Sequence, residues 1–188
     1  MVDAEITRNI KSRFFLLRNG VVSDRLRKAG CKNKVIFGLL QPQLQDVSAM
    51  VEPSLELAEW LWNDTSTRES RLLATMVCPP EDFDEDIANR WINSTDSVEQ
   101  IDALCFRLVR NLPHAMSFVS QYLESENELK CYFAFRLAMN LLTINRLEDW
   151  QTIYAAAKNQ LQRASTAYIT AVCRQLTEEL DFRQESND

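Results

Sequence analysis

What the chain has little of narrows its class before any motif is considered. Its 188 residues hold only three glycines and five prolines, too few sharp-turning residues for the many short connections of a sheet protein. Leu, Ala, Glu, Arg and Gln are abundant, and an all-α architecture is expected. The glycines (Gly20, Gly30 and Gly38) stand apart, which excludes a Gly-rich phosphate loop. His114 is the single histidine, so an H-E-x-x-H zinc site is excluded and a Ser-His-Asp arrangement has no sequence cue. No apolar run approaches the roughly 18–20 residues of a membrane span, and the start MVDAEITRN lacks the apolar stretch of a secretory signal. The five cysteines (Cys31, Cys78, Cys105, Cys131 and Cys173) are odd in number and never spaced C-x-x-C. They are expected as small buried hydrophobes in a reducing cytoplasm rather than as bridges or metal ligands. No metal, cofactor or membrane partner is expected. The length suits one monomeric domain with a sizeable core.

Charge is present but unevenly placed. Residues 1–35 carry nine Lys/Arg against three acids, a net of +6, whereas the remainder carries 12 basic and 24 acidic groups, a net of −12. A basic first lobe, with Lys11 and Lys28 among its cations, suits phosphates. A solvated helical face is the alternative, and the acidic remainder opposes general nucleic-acid affinity.

The stretch around which the rest is organised is residues 51–77, VEPSLELAEWLWNDTSTRESRLLATMV. It reads as two helices joined by a polar turn at residues 63–66. Pro53 fits a first turn, and Leu55, Leu57, Ala58, Leu61 and Trp62 recur at helical spacing. Ser66 and Glu69 form an S-x-x-E capping box opening the second helix, which carries Leu72, Leu73 and Met76. Arg68 and Arg71 flank Glu69 and could reach phosphates or pair with Glu69 or Glu59. Two such helices cannot bury their apolar faces on each other alone, so the pair is a unit for stacking.

Further helices are expected over 4–19 (core Ile6, Ile10, Phe14, Phe15 and Leu17), 23–29 and 42–50. Another begins at Pro79–Pro80 with Glu81, Asp82 and Asp84 at its positive end and carries Phe83, Ile87, Trp91 and Ile92. Box-like starts at Asp96/Glu99, Ser125/Glu128 and Asn145/Glu148, and Pro113, open four more. A last helix spans 165–180, with residues 181–188 as a frayed tail. Trp60, Trp62, Trp91 and Trp150 read as core rather than stacking platforms. Helix 129–142 is apolar nearly all round and should be sandwiched, so Lys130 and Arg136 must snorkel or pair. The pattern is an α-α solenoid or a compact helical array.

Three of these segments carry a resemblance. LELAEWLWNDTSTRESRLLATMV, the upstream FGLLQPQLQDVSA and the downstream STDSVEQIDALC resemble, in that order, motifs of the DNA alkylation repair family, bacterial alkylpurine DNA glycosylases built from HEAT-like repeats. Weaker similarity extends the resemblance over residues 34–172. It implies stacked antiparallel helical hairpins in a HEAT-like α-α superhelix, an ARM-type solenoid. It also implies metal-independent hydrolysis of the glycosidic bond of a cationic alkylpurine. There a carboxylate beside the sugar stabilises an oxocarbenium-like charge and aromatic faces favour the cation. The family is described as doing this without flipping the base, unlike most glycosylases.

Carried over by position, the family's catalytic Asp falls on Asp102, and its two active-site Trp positions fall on Val98 and Ala167. Tyr168 is adjacent to the second, about 100° round a helix. The family's Arg pair falls on Lys130 and Cys131. On a helical wheel Asp102 lies at the edge of the stripe Val98, Ile101, Leu104, Cys105, Leu108 and Val109. Burying it unpaired would be costly, so it either pairs with Arg107, Arg136 or another neighbour, or is a retained functional carboxylate.

Two functions follow. One is a diverged alkylpurine DNA glycosylase of weak or lost activity. It would use Asp102 and hold duplex DNA in a concave groove through Lys130, Arg136, Arg68, Arg71, Lys11 and Lys28. The other is a non-catalytic HEAT-like scaffold for a protein partner or a DNA structure.

Overall fold

Helices make up every regular element of the computed structural model, which describes residues 2–163 and 166–185. Among the described residues there are eleven α-helices and two 3-10 turns, and the single β-type pairing is an isolated parallel bridge between Val35 and Thr67. The protein is all-α, as its composition implied. The chain falls into two compact units, Met1–Ile87 and Ala88–Asp188.

The first unit contains α1 (Ala4–Leu16), α2 (Gly20–Lys28), α3 (Gln41–Ser48), α4 (Leu55–Asn63) and α5 (Arg68–Val77). The α4–α5 pair is the hairpin anticipated at residues 51–77. Ser54 caps α4 by accepting from Leu57 N at 3.2 Å, and its own N–H donates to Val77 O at 3.0 Å, which sets the two helices antiparallel. Pro53 therefore precedes the cap instead of entering the first turn.

Helix α5 is central, with nine of its ten residues buried, Arg68, Glu69 and Arg71 among them. The expected Ser66/Glu69 capping box does not form. Ser66 Oγ donates to Asp64 Oδ1 at 2.7 Å. Glu69, fully buried, instead accepts from Phe37 N (3.1 Å), Gly38 N (2.9 Å) and Leu39 N (3.3 Å). Three consecutive amides on a carboxylate form a nest that pins a distant loop. Gly38 makes this possible, since at φ +79° any Cβ would lie 2.4 Å from Asn19 O. Gly30 (φ +94°) closes α2 as a Schellman cap, with Cys31 N bonding Leu26 O and Gly30 N bonding Arg27 O. In α1 only Ile10 and Phe14 are buried. Ile6 and Phe15, expected as core, are exposed because they lie off that stripe.

The second unit is built on α9 (Glu128–Thr143), against which α7 (Val98–Arg107), α8 (Ala115–Tyr122), α10 (Trp150–Gln162) and α11 (Ala167–Glu185) pack. The sandwiching expected of helix 129–142 holds: nine α9 residues are buried. Helix α6 (Glu85–Ser94) precedes them and is capped by Asp84, which accepts from Ile87 N at 2.8 Å.

The other anticipated caps are displaced by one or more residues. Ser97 caps α7, with Gln100 reaching back to Asp96 N. Asn127 caps α9, accepting from Leu129 N and Lys130 N. Asn145 does not start α10. At φ +55° it ends α9 in a Schellman turn, with Arg146 N bonding Leu141 O and Asn145 N bonding Leu142 O. Helix α11 runs to Glu185, so residues 181–185 are helical rather than frayed. Residues 186–188 and the expected helix start at Ser165 lie outside the described residues.

The cysteines are free, and all but the half-buried Cys31 are buried. Burial, reinforced by neighbouring acids for Cys78, pushes the Cys78 and Cys173 thiols up to about 12. These groups remain protonated packing residues. Trp62 and Trp91 are core, whereas Trp60 is 37 % exposed, a departure from its expected burial. It lies under the Lys11 ammonium at 5.7 Å.

Candidate functional site

Asp102 sits in the middle of α7 on the flank of a stripe whose Ile101, Leu104 and Cys105 are buried. That position leaves its side chain 39 % exposed and turned toward α9. Two α9 residues, four apart and therefore on one helix face, meet it there. Tyr132 OH donates to Asp102 Oδ1 at 2.6 Å, and Arg136 Nε donates to the same oxygen at 2.7 Å. Arg136 Nε also lies 3.1 Å from Tyr132 Oη, closing a three-membered network. Among the described residues, Asp102 Oδ2 accepts no hydrogen bond.

The network's electrostatics follow from burial opposed by contact. Burial raises the Tyr132 phenol above its ordinary range, and the Asp102 hydrogen bond and charge push it further. For Arg136, burial disfavours the cation, but the Asp102 charge and the Tyr132 hydroxyl outweigh it and hold the guanidinium protonated. Asp102 also helps keep the buried Cys105 thiol neutral, after desolvation.

An aromatic lies just beyond. The Tyr168 ring, in the first turn of α11, packs edge-on against Tyr132 with centroids 5.4 Å apart and planes at 89°. Tyr168 OH donates to Glu128 Oε2 at 3.1 Å. Sequence comparison placed Ala167 at the family's second Trp position and set Tyr168 aside as pointing elsewhere. The structure instead places Tyr168 beside the partner of Asp102, while Ala167 is exposed and Val98 half-buried. Tyr132 was missed because it lies on the helix read as apolar nearly all round, where only Lys130 and Arg136 stood out. The usable signal was its i, i+4 relation to Arg136.

The remaining candidate cations are distributed differently. Lys130 Nζ donates to Ile92 O (2.5 Å) and Asn93 Oδ1 (2.8 Å), closing the C-terminal end of α6, and lies 5.1 Å from the Tyr122 ring. Desolvation lowers its ammonium to about 8. Its charge is committed to the helix end, which argues against the expected phosphate contact.

Arg68 and Arg71 require outright correction as phosphate ligands. They are 6 % and 4 % exposed. Arg68 Nη1 donates to Leu39 O and Glu69 Oε1, and Arg71 Nε donates to Trp62 O with its guanidinium over the Trp62 ring. A helix buried on all sides has no solvent face to offer DNA. Lys11 is likewise directed inward, donating to Asp64, Thr67 Oγ1 and Ser70 Oγ. Lys28 is exposed in the last turn of α2, with Arg25 and Arg27 beside it.

The arrangement thus offers one half-exposed carboxylate with one oxygen held and the other open, a cation against it, and two tyrosines alongside. Such a carboxylate can stabilise positive charge developing on a bound group or orient a water. Comparison with curated proteins and with solved structures gives no match. A family model described as "DNA alkylation repair enzyme" matches residues 10–177, which include every member of this cluster.

Proposed function

Starting from the DNA alkylation repair enzyme family, to which the chain belongs, we propose that it binds duplex DNA in a concave groove. There it releases cationic N-alkylated purines slowly, with Asp102 as the catalytic carboxylate. The observation that carries this reading is the half-exposed Asp102, with Oδ2 open while Tyr132 and Arg136 fix Oδ1.

Alkylation at a purine ring nitrogen places a positive charge on the base. Heterolysis of the C1′–N bond then returns the electron pair to the base and leaves positive charge on the sugar. Asp102 stabilises that charge and orients a water, which adds to C1′ and releases its proton to solvent or the carboxylate. Arg136 works against the step, because a guanidinium 2.7 Å from Oδ1 offsets part of the field the sugar would feel. Val98 and Ala167 supply no stacking faces, each absence costing on the order of 1–3 kcal/mol. At 1.36 kcal/mol per tenfold, slow excision follows. Tyr132 and Tyr168 offer a partial aromatic wall in their place. The free cysteines suit a reducing cytoplasm.

The same Arg136–Asp102 pair favours a second reading, in which the carboxylate is purely structural and the protein is a non-catalytic scaffold. Base release from duplex DNA carrying N7-methylguanine or N3-methyladenine separates the two. Release above that of protein-free DNA, together with duplex binding that weakens as salt rises, supports the enzyme. Salt-sensitive binding without release supports the scaffold, and absence of both removes DNA as the partner.

A further inference from the structure

Helix α7 carries more than Asp102. One turn further on, at i+4 and so on the same face, stands Phe106, which is 52 % exposed. The next residue of that row, Arg110 in the 3-10 turn Val109–Asn111, lays its guanidinium 4.0 Å from the Phe106 ring centroid. One face of the ring is thereby covered, so its exposure falls on the other face and the edge. Arg107 lies beside it at the end of α7. Both arginines are half-buried, and the Nε of each is enclosed without a hydrogen-bond partner. Neither has an ion-pair partner among the described residues. Charge is segregated along this strip. The acids Glu99 and Asp102 occupy the first half of α7, and the cations Arg107 and Arg110 follow. The elements packed on this end bring no acid to it. Helix α8 holds none, and the one acid of α9, Glu128, sits in that helix's first turn and accepts from Tyr168. The loop after α9 brings Arg146, which pins the 3-10 turn by donating to Arg110 O at 2.8 Å and to Leu112 O at 2.9 Å. The acids of that loop are directed elsewhere, Glu148 to a hollow among Pro113 and His114, and Asp149 to Thr152 Oγ1. Burial alone lowers the Arg107 guanidinium from its ordinary value, with no acid offsetting it.

A flat ring face beside unpaired guanidiniums matches a nucleotide, the ring taking a base and the cations its phosphates. In an intact duplex the faces of every base are covered by its neighbours. A lone exposed ring therefore gains stacking only from a base that has left the stack. We propose that Phe106 receives an unstacked base beside the lesion while Arg107 and Arg110 hold the phosphates flanking it, so that the protein selects DNA with an unpaired base over intact duplex. This rests on the reading of Asp102 as the site of a DNA enzyme, and it names the feature of DNA that the site selects. Phe106, one turn after Asp102, supplies a stacking face that Val98, one turn before it, does not. An acidic peptide would match the arginines and leave the open ring face without a flat partner.

The test uses the full-length protein and two undamaged, fluorescein-labelled duplexes of the same sequence, one fully paired and one carrying a single-nucleotide bulge. Fluorescence anisotropy is expected to show the bulged duplex bound at least tenfold tighter. Phe106→Ala, at an exposed position where circular dichroism should show an unchanged fold, should remove that preference while leaving affinity for the paired duplex within about twofold. Phe106→Trp should restore the preference, a rescue that a purely structural role does not give. Arg107→Ala should weaken both duplexes alike and reduce the slope of log affinity against log salt by about 0.9, as loss of one phosphate contact does. Equal binding of the two duplexes, or a preference that survives Phe106→Ala, overturns the inference. If N7-methylguanine is still released in that case, the excision reading stands without it. Absence of salt-sensitive binding to either duplex removes DNA as the partner and overturns both.

Discussion

The two units each build around one central helix, α5 in the first and α9 in the second, yet they place charge in opposite ways. In α5 the charged groups are fully internal. Glu69 is 0 % exposed and holds three loop amides and Arg68, while Arg71 closes on Trp62 O. In α9 the buried residues are apolar or aromatic, and the cation Arg136 stands at the rim against a carboxylate that is 39 % exposed. A buried, fully bonded charge cannot be withdrawn without leaving its partner stranded, so it holds structure. A rim charge contributes little to stability but remains available to a ligand. Burial, rather than residue type, separates the charges that build this protein from those that can act.

The comparison breaks most readily at Glu69. Glu69→Ala strands Arg68 and three amides, and urea denaturation should show a loss of about 3–5 kcal/mol, the usual cost of leaving a buried charge unpaired. A loss below about 1 kcal/mol would mean that α5 does not depend on its internal charges.

Next in size is Asp64. Burial opposes its charge, but hydrogen bonds from Lys11, Ser66, Ser70 and Thr67 outweigh that and hold the carboxyl below its ordinary value of 3.8. Because the folded pKa is depressed, its stabilisation is present above pH 3.8 and is lost as pH falls below it. Asp64→Asn should cost about 1–3 kcal/mol at neutral pH, and its deficit relative to the native protein should shrink on acidification.

A smaller effect of opposite sign is expected at Lys130. Desolvation brings its ammonium from 10.5 to about 8, so the unfolded chain binds the extra proton between those values. The penalty for the half-buried charge is present at neutral pH and is relieved as pH rises from 8 toward 10.5. Relative to Lys130→Met, the native protein should therefore gain stability over that window. A flat difference would show that the ammonium is solvated.

The smallest stability change is expected at the rim. Arg136→Gln should alter the urea midpoint by under about 1 kcal/mol. By removing the opposing charge it should raise single-turnover base release about tenfold, equivalent to 1.36 kcal/mol.

How much of this was legible in the sequence depended on the range of each interaction. Helix spacing is local, and so the hairpin at residues 51–77, the all-α class and the sandwiched helix at 129–142 could be read directly. The S-x-x-E box at Ser66/Glu69 is a local pattern, but Glu69 is held by amides about thirty residues upstream, and that partner outweighed the local cap. Asn145 was misread for a related reason. A residue at φ +55° can end one helix as readily as it seems to start the next.

Of the two roles open to Arg68 and Arg71, phosphate contact or pairing with Glu69 or Glu59, the enclosed helix leaves the internal one, and Arg68 does pair with Glu69. At the candidate site, the edge position of Asp102 was readable from helical spacing, and the cost of burying it unpaired called for a partner such as Arg107 or Arg136. Tyr132 and Tyr168 were not readable, because their roles depend on the packing of α7, α9 and α11 together.

The central claim is that chemistry in this protein belongs to a rim carboxylate that its fold does not need. Its most direct test is Asp102→Asn, assayed in one preparation for single-turnover release of N7-methylguanine and for its urea midpoint. The account predicts that release falls to the level of protein-free DNA while stability changes by less than about 1 kcal/mol. Release that persists in Asp102→Asn, or a variant that loses release only because it unfolds, would contradict it.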